Sequence, residues 1–139
     1  MKKVLVLFVS VFVISCGTTK SVDKNSALYE VLTQRSDGGG NIRFFEILSE
    51  PNEIKMLLND ESLKGKIHGD DINKTNYIVL NMGEKNTGGY SIGVEKVEET
   101  DKNIIITVKE TAPAPDSMVM QVITYPYAAV KINSKKEII

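Results

Sequence analysis

A single cysteine, Cys16, stands in a chain of 139 residues that has no tryptophan and one histidine, His68. One thiol cannot close a disulfide within the chain, so a folded domain here depends on burial alone. One histidine, with no second histidine or thiolate to join it, completes neither a metal centre nor a Cys-His nucleophile pair. His68, in a polar stretch between Gly65 and Gly69, therefore reads as a surface residue. An excess of either charge is also missing: 17 basic residues stand against 18 acidic ones. No cluster of Lys and Arg supplies the phosphate-neutralising surface that nucleic acid demands. Asp70 and Asp71 are not part of a calcium-loop pattern of alternating oxygen ligands. No nucleophile, base and orienting group can be assembled from the order of residues. The expectation is a protein that is not an enzyme and takes no cofactor and no metal.

The longest apolar run, Val4 to Ile14, follows Met1-Lys2-Lys3 and is broken only by Ser10. As a helix rising ~1.5 Å per residue it reaches roughly 17 Å, well short of the ~30 Å hydrocarbon core. A basic start and a short apolar stretch make an export signal, residues 1–15. Val13-Ile14-Ser15-Cys16-Gly17 follows, and it resembles the bacterial lipobox. The resemblance implies cleavage before Cys16, a diacylglycerol on its sulfur and an acyl chain on the new amino group. Each buried CH₂ contributes ~0.8 kcal/mol, so two or three chains anchor stably. Loss of Lys2 and Lys3 with the signal leaves 15 basic against 18 acidic residues, near −3. Gly17 is not the aspartate associated with inner-membrane retention in some bacteria, which favours the outer membrane or cell surface of the envelope.

From Cys16 to Ser26 the chain is small, polar and unpatterned, a flexible tether. Residues 27–139 are expected to form one globular domain. Tyr29 to Thr33 and Ile42 to Leu48 have strand composition and flank a glycine-rich loop, Ser36 to Asn41, which predicts a hairpin. Ser49 or Glu50 caps a short helix over about 51–60, with Pro51 in its first turn and Ile54, Leu57 and Leu58 on one face. The polar stretch 61–76 has no clear pattern.

Four further segments are rich in β-branched residues: Tyr77 to Met82, Tyr90 to Glu98, Asn103 to Glu110, and a long run from Met118 to Ile132. In the second, alternation through Tyr90, Ile92 and Val94 slips by one residue to Val97, the mark of a bulge. In the last, Pro126 cannot donate to a ladder, so a kink, an edge or a break is expected at Thr124 to Tyr127. The order β-β-α-β-β-β-β implies an α+β domain with a mostly antiparallel, strongly curved sheet and one packed helix.

Three motifs in the C-terminal half, Thr87-Gly88-Gly89-Tyr90-Ser91-Ile92, Pro113-Ala114-Pro115 and Thr124-Tyr125-Pro126-Tyr127, keep a common order and spacing. Over about residues 77–132 the chain resembles the C-terminal domain of the PrcB protease-complex-subunit family. That resemblance implies a non-enzymatic lipoprotein module whose partner is an exported protease or another envelope protein.

The partner-binding candidates are Asn86, Thr87, Gly88, Gly89, Tyr90, Tyr125 and Tyr127. Gly88-Gly89 permits positive φ and exposes backbone groups without side-chain obstruction, which suits either close contact with a partner or merely a tight turn. Tyr90 points into the core or toward a partner. Tyr125 and Tyr127 share a side if the strand continues through Pro126, forming an aromatic platform or capping the sheet end. Asn86 to Tyr90 is also similar to the NPTTGY loop of chagasin-type cysteine protease inhibitors. Here no proline follows Asn86, no tryptophan lies two residues past Tyr90, and no arginine-proline-tryptophan segment exists.

Overall fold

Seven strands and one helix follow from the apolar patterning of a computed structural model that describes residues 28–139. The export segment, Cys16 and the tether lie outside the described residues. The strands are β1 (Tyr29–Arg35), β2 (Arg43–Leu48), β3 (Asn76–Met82), β4 (Ser91–Glu99), β5 (Asn103–Thr111), β6 (Tyr127–Ile132) and β7 (Glu137–Ile138), and the helix is α1 (Pro51–Leu57). A mostly β architecture with one helix and antiparallel sheets is as expected. The single, strongly curved sheet is not: the strands divide into a four-stranded sheet, β1-β6-β3-β2, and a three-stranded sheet, β4-β5-β7. The latter includes a short parallel pairing of β5 with β7.

The predicted β1-β2 hairpin is also corrected. These strands lie at opposite edges of the first sheet, because β6 and β3 take its centre. Every residue of β3 except Val79, and every residue of β6 except Lys131, is buried, whereas β2 buries only Leu48. Burial on both faces favours the most apolar strands in the middle. The glycine-rich loop after β1 therefore crosses the end of the sheet instead of turning back. The Gly39 amide donates to the Tyr125 carbonyl at 2.9 Å, and the buried Asn81 amide group donates to the carbonyls of Gly40 and Ile42 at 2.9 and 2.5 Å. A Cβ on Gly39 would sit 2.2 Å from the Asn81 Oδ1, so only glycine fits this crossing.

Alternation along β3 directs Ile78 and Leu80 to one face and Tyr77 to the other. The first face packs with Ile92, Val97 and Ile104 of the second sheet, and the other with Ile54, Leu63, Ile67 and Ile72 beneath the helix. The patternless stretch 61–76 thus closes the second core through 3-10 turns at Glu61–Leu63 and Gly69–Asp71. Asp71 accepts from Lys131 at 2.6 Å, and this bond holds its carboxyl below the usual aspartate range. Partial burial pulls the Lys131 ammonium down, but the same bond, together with the attraction of Asp71 and the neighbouring Tyr77 and Glu30, outweighs it and raises its pKa.

Helix α1 starts where expected. Pro51 occupies the first turn, and the Glu53 carboxylate accepts from the Ser49 and Glu50 amides at 3.2 and 3.1 Å. It ends at Leu57, short of residue 60, because Leu58, Asn59 and Asp60 tighten into bonds to residues three back. Leu58 is consequently exposed and does not join Ile54 in the core. The β4 bulge falls where the alternation slips, between Val94 and Lys96, and turns Val97 inward. The long run from Met118 to Ile132 is not one strand. It becomes regular only at Tyr127, after Pro126, and its earlier part has just the bridge of Thr124 to Lys85.

Candidate interaction site

The glycine loop leaves the end of β3 and runs beside the irregular segment before β6. Thr124 and Lys85 exchange two backbone bonds of 2.9 Å, the Thr124 hydroxyl donates to the Thr87 carbonyl at 2.9 Å, and the Gly88 amide donates to the Met120 carbonyl at 2.9 Å. Of the two adjacent glycines, Gly89 takes positive φ, +87°. A Cβ there would also meet Pro113 Cβ at 2.9 Å, so the Pro-x-Pro connection packs directly on the turn. Asn86 is exposed, Thr87 half-buried, and its hydroxyl donates to the Gly88 carbonyl at 3.1 Å. Tyr90 is half-buried against the core between the sheets, with the Lys85 ammonium 5.6 Å from its ring centre. Asn86 to Tyr90 thus form one connected surface element.

The two tyrosines of the TYPY motif do not form a common platform. Strand continuity through Pro126 was the condition for a shared side, and the strand starts only after it. The half-buried Tyr125 donates its hydroxyl to Glu84 Oε2 at 3.1 Å, and that bond to a carboxylate raises its pKa above the ordinary tyrosine value. Tyr127 is 8% exposed and donates to Ser62 Oγ at 2.8 Å, which donates in turn to Asp60 Oδ1 at 2.7 Å. Tyr125 therefore sits near the glycine loop, while Tyr127 secures the helix-side turns.

Sequence reasoning missed the most exposed apolar element. Met118 is 102% and Met120 74% exposed, and Val122 and Ile123 are exposed beside them. With Gly88, Gly89 and the residues just after β1, Ser36 and Asp37, they border a groove of about 420 Å³. Nearly every residue from 118 to 123 is apolar, so neither a period of two nor one of 3.6 shows which side chains face water. The available signal was Pro113 and Pro115 ahead of the run and Pro126 behind it, which isolate it from a continuous strand. Among the described residues no group of three His, Cys, Asp or Glu side chains is placed to hold a metal ion. The groove offers backbone groups and flexible apolar side chains, a surface suited to contact.

These features define a two-sheet, β-rich module with an apolar groove at one end of its central strands. Residues 76–133 match the family model described as PrcB C-terminal, so the segment from β3 through β6 is of the type that the three motifs suggest. The match includes the glycine loop, β4, β5 and the exposed segment, and leaves out β1, β2 and α1. No curated protein and no solved structure matches the chain.

Proposed function

We propose that the chain is a lipid-anchored, non-enzymatic interaction module of the cell envelope that binds or stabilises an exported protease or another envelope protein. One observation carries this reading: the exposed Met118, Met120, Val122 and Ile123 lie beside Gly88-Gly89 in a single groove. Contiguous exposed apolar surface is costly to leave in water and marks an interaction site. Methionine side chains adapt to the shape of a partner, and Gly88-Gly89 lets a partner approach the backbone closely. The PrcB-type segment supplies all of this groove's lining except Ser36 and Asp37 and supports a role as a subunit associated with a protease complex. Asn86, Thr87, Tyr90 and Tyr125 complete the contact surface, whereas Tyr127 is buried and bonded to Ser62 on the helix side.

In this reading the anchor is acylated Cys16. Among the described residues no helix is long and apolar enough to cross a membrane. The lipobox-like segment and Gly17 point to the outer membrane or cell surface. Cys16→Ser is expected to release the protein from membranes or to leave an unprocessed precursor. Retention of this variant on membranes through a high-salt wash refutes the lipid anchor.

The binding surface is tested by crosslinking in cells, purification and identification of the captured partner. Thr87→Arg is expected to abolish recovery of an active, complexed protease or other envelope protein, with stability changed by no more than ~0.5 kcal/mol. Unchanged recovery with Thr87→Arg rejects the groove as the interface. Inhibition of a papain-like protease by the purified protein, lost in the same variant, would instead establish the chagasin-type reading.

A further inference from the structure

The two edges of the first sheet differ in a way that points to a second binding surface. The β1 edge is interrupted by a register shift between Val31 and Thr33, whereas β2 makes six unbroken pairs with β3 and, among the described residues, has no strand on its other side. The backbone direction of β2 follows from antiparallel alternation. Met82 donates its amide to the Pro126 carbonyl at 2.9 Å, on the β6 side of the sheet. Leu80 and Ile78, in phase with it, also direct their backbone groups toward β6, so Asn81, Val79 and Tyr77 direct theirs toward β2. Their partners there are Phe44, Glu46 and Leu48. It follows that Arg43, Phe45 and Ile47 present their N–H and C=O groups outward.

The same three residues direct their side chains toward the second sheet. Phe45 and Ile47 enter a cleft of about 130 Å³ whose other walls include Ile106, Val108, Ile138 and Ile139. At one end Arg43 Nε meets Glu110 Oε1 at 2.8 Å, and the guanidinium lies 4.5 Å from the Phe45 ring centre. That ion pair joins the two charged side chains, Arg43 and Glu110, at this end of the cleft. β2 has no proline, lysine or bulge to keep its edge from pairing, and of its two charged residues Arg43 is held by Glu110 and Glu46 lies on the opposite face.

We infer that β2 accepts an added strand: an extended segment of a partner protein, with uncharged apolar side chains at alternate positions, pairs with Arg43, Phe45 and Ile47 and fills the cleft beside them. The outward N–H and C=O groups select an extended backbone, and the apolar walls select the alternation. A second copy fits less well. Phe45, Ile47 and Ile139 are 44%, 46% and 62% exposed, which leaves on the order of 300 Å² of apolar side chain per copy at this cleft, against the ~800 Å² per partner of a stable dimer. The surface is separate from the glycine-loop groove, which is bordered on its β1 side by Ser36 and Asp37.

The test uses the full chain in detergent micelles and, as probe, a display library of short random peptides. Enriched peptides are expected to alternate apolar residues, to slow amide exchange at Arg43, Phe45 and Ile47, and to bind Thr87→Arg as well as the wild type. Ile47→Pro deletes an outward N–H without removing a bond to β3, and should weaken these peptides by about tenfold or more. If that variant does not fold, Phe45→Lys, which sets a charge at the cleft mouth, must give the same loss. The inference is overturned if no peptide prefers the wild type over the variant, or if exchange slows only at 118–123. Sedimentation that shows the wild type paired with itself, and Ile47→Pro monomeric, overturns it in favour of a second copy.

Discussion

Met118 to Ile123 and Tyr127 to Ile132 have nearly the same apolar richness and are separated by three residues, yet one holds Met118, the most exposed large apolar side chain of the described residues, and the other is a central strand. Strand β6 pairs on both sides, with β1 and β3, and contributes to both cores. The upstream segment has no ladder and is held by the Met120 carbonyl and by Val119 against Gly89. Composition alone does not decide burial. A segment is buried when its backbone groups are paired as well, and Pro126 removes a donor where the two segments meet. The apolar side chains of β6 maintain the fold, while those of 118–123 contribute little to it and remain available for contact.

The contrast breaks most visibly at Tyr127. Tyr127→Ala should cost ~3–5 kcal/mol of folding free energy, measured by denaturant unfolding, because it empties a buried ring and leaves Ser62 without its donor. A loss below about 1 kcal/mol would place Tyr127 with the exposed group and return it to the binding surface. Gly89→Ala comes next. Positive φ and the close Pro113 contact predict a loss of ~1–2 kcal/mol, and a partner-binding defect no larger than that loss if the glycine serves only the turn. A binding defect well beyond the stability loss would make the Gly89 backbone part of the interface. The smallest expected effect sharpens the comparison from the other side. Met118→Ser combined with Met120→Ser should move the unfolding midpoint by ~0.5 kcal/mol or less, and a thermal melt showing a much larger loss would mean that these side chains support the fold after all.

Local chemistry made much of the architecture legible in advance. The helix start is encoded by Glu50, Pro51 and Glu53 within four residues, the β4 bulge by the slip from Val94 to Val97, and the break near Pro126 by a missing donor. The glycine loop was legible as a loop for the same reason. Tyr127 was not placed by its sequence, because its hydroxyl partner, Ser62, lies 65 positions away. The exposed segment 118–123 was concealed by its composition, which matches that of a buried strand.

The sequence by itself determined where the backbone bends, caps and slips, since those events depend on neighbours within a few residues. It also determined, through a lone thiol, that no disulfide closes within the chain, and the three motifs carried the PrcB-type resemblance later matched over residues 76–133. Only the tertiary structure decided that β1 and β2 occupy opposite edges, that the strands divide into two sheets, and that the stretch from Glu61 to Asn76 closes a second core. Those outcomes depend on competition among all the strands for the doubly buried centre of a sheet, which β3 and β6 win as its most apolar strands, with five apolar residues each against three in β1 and four in β2.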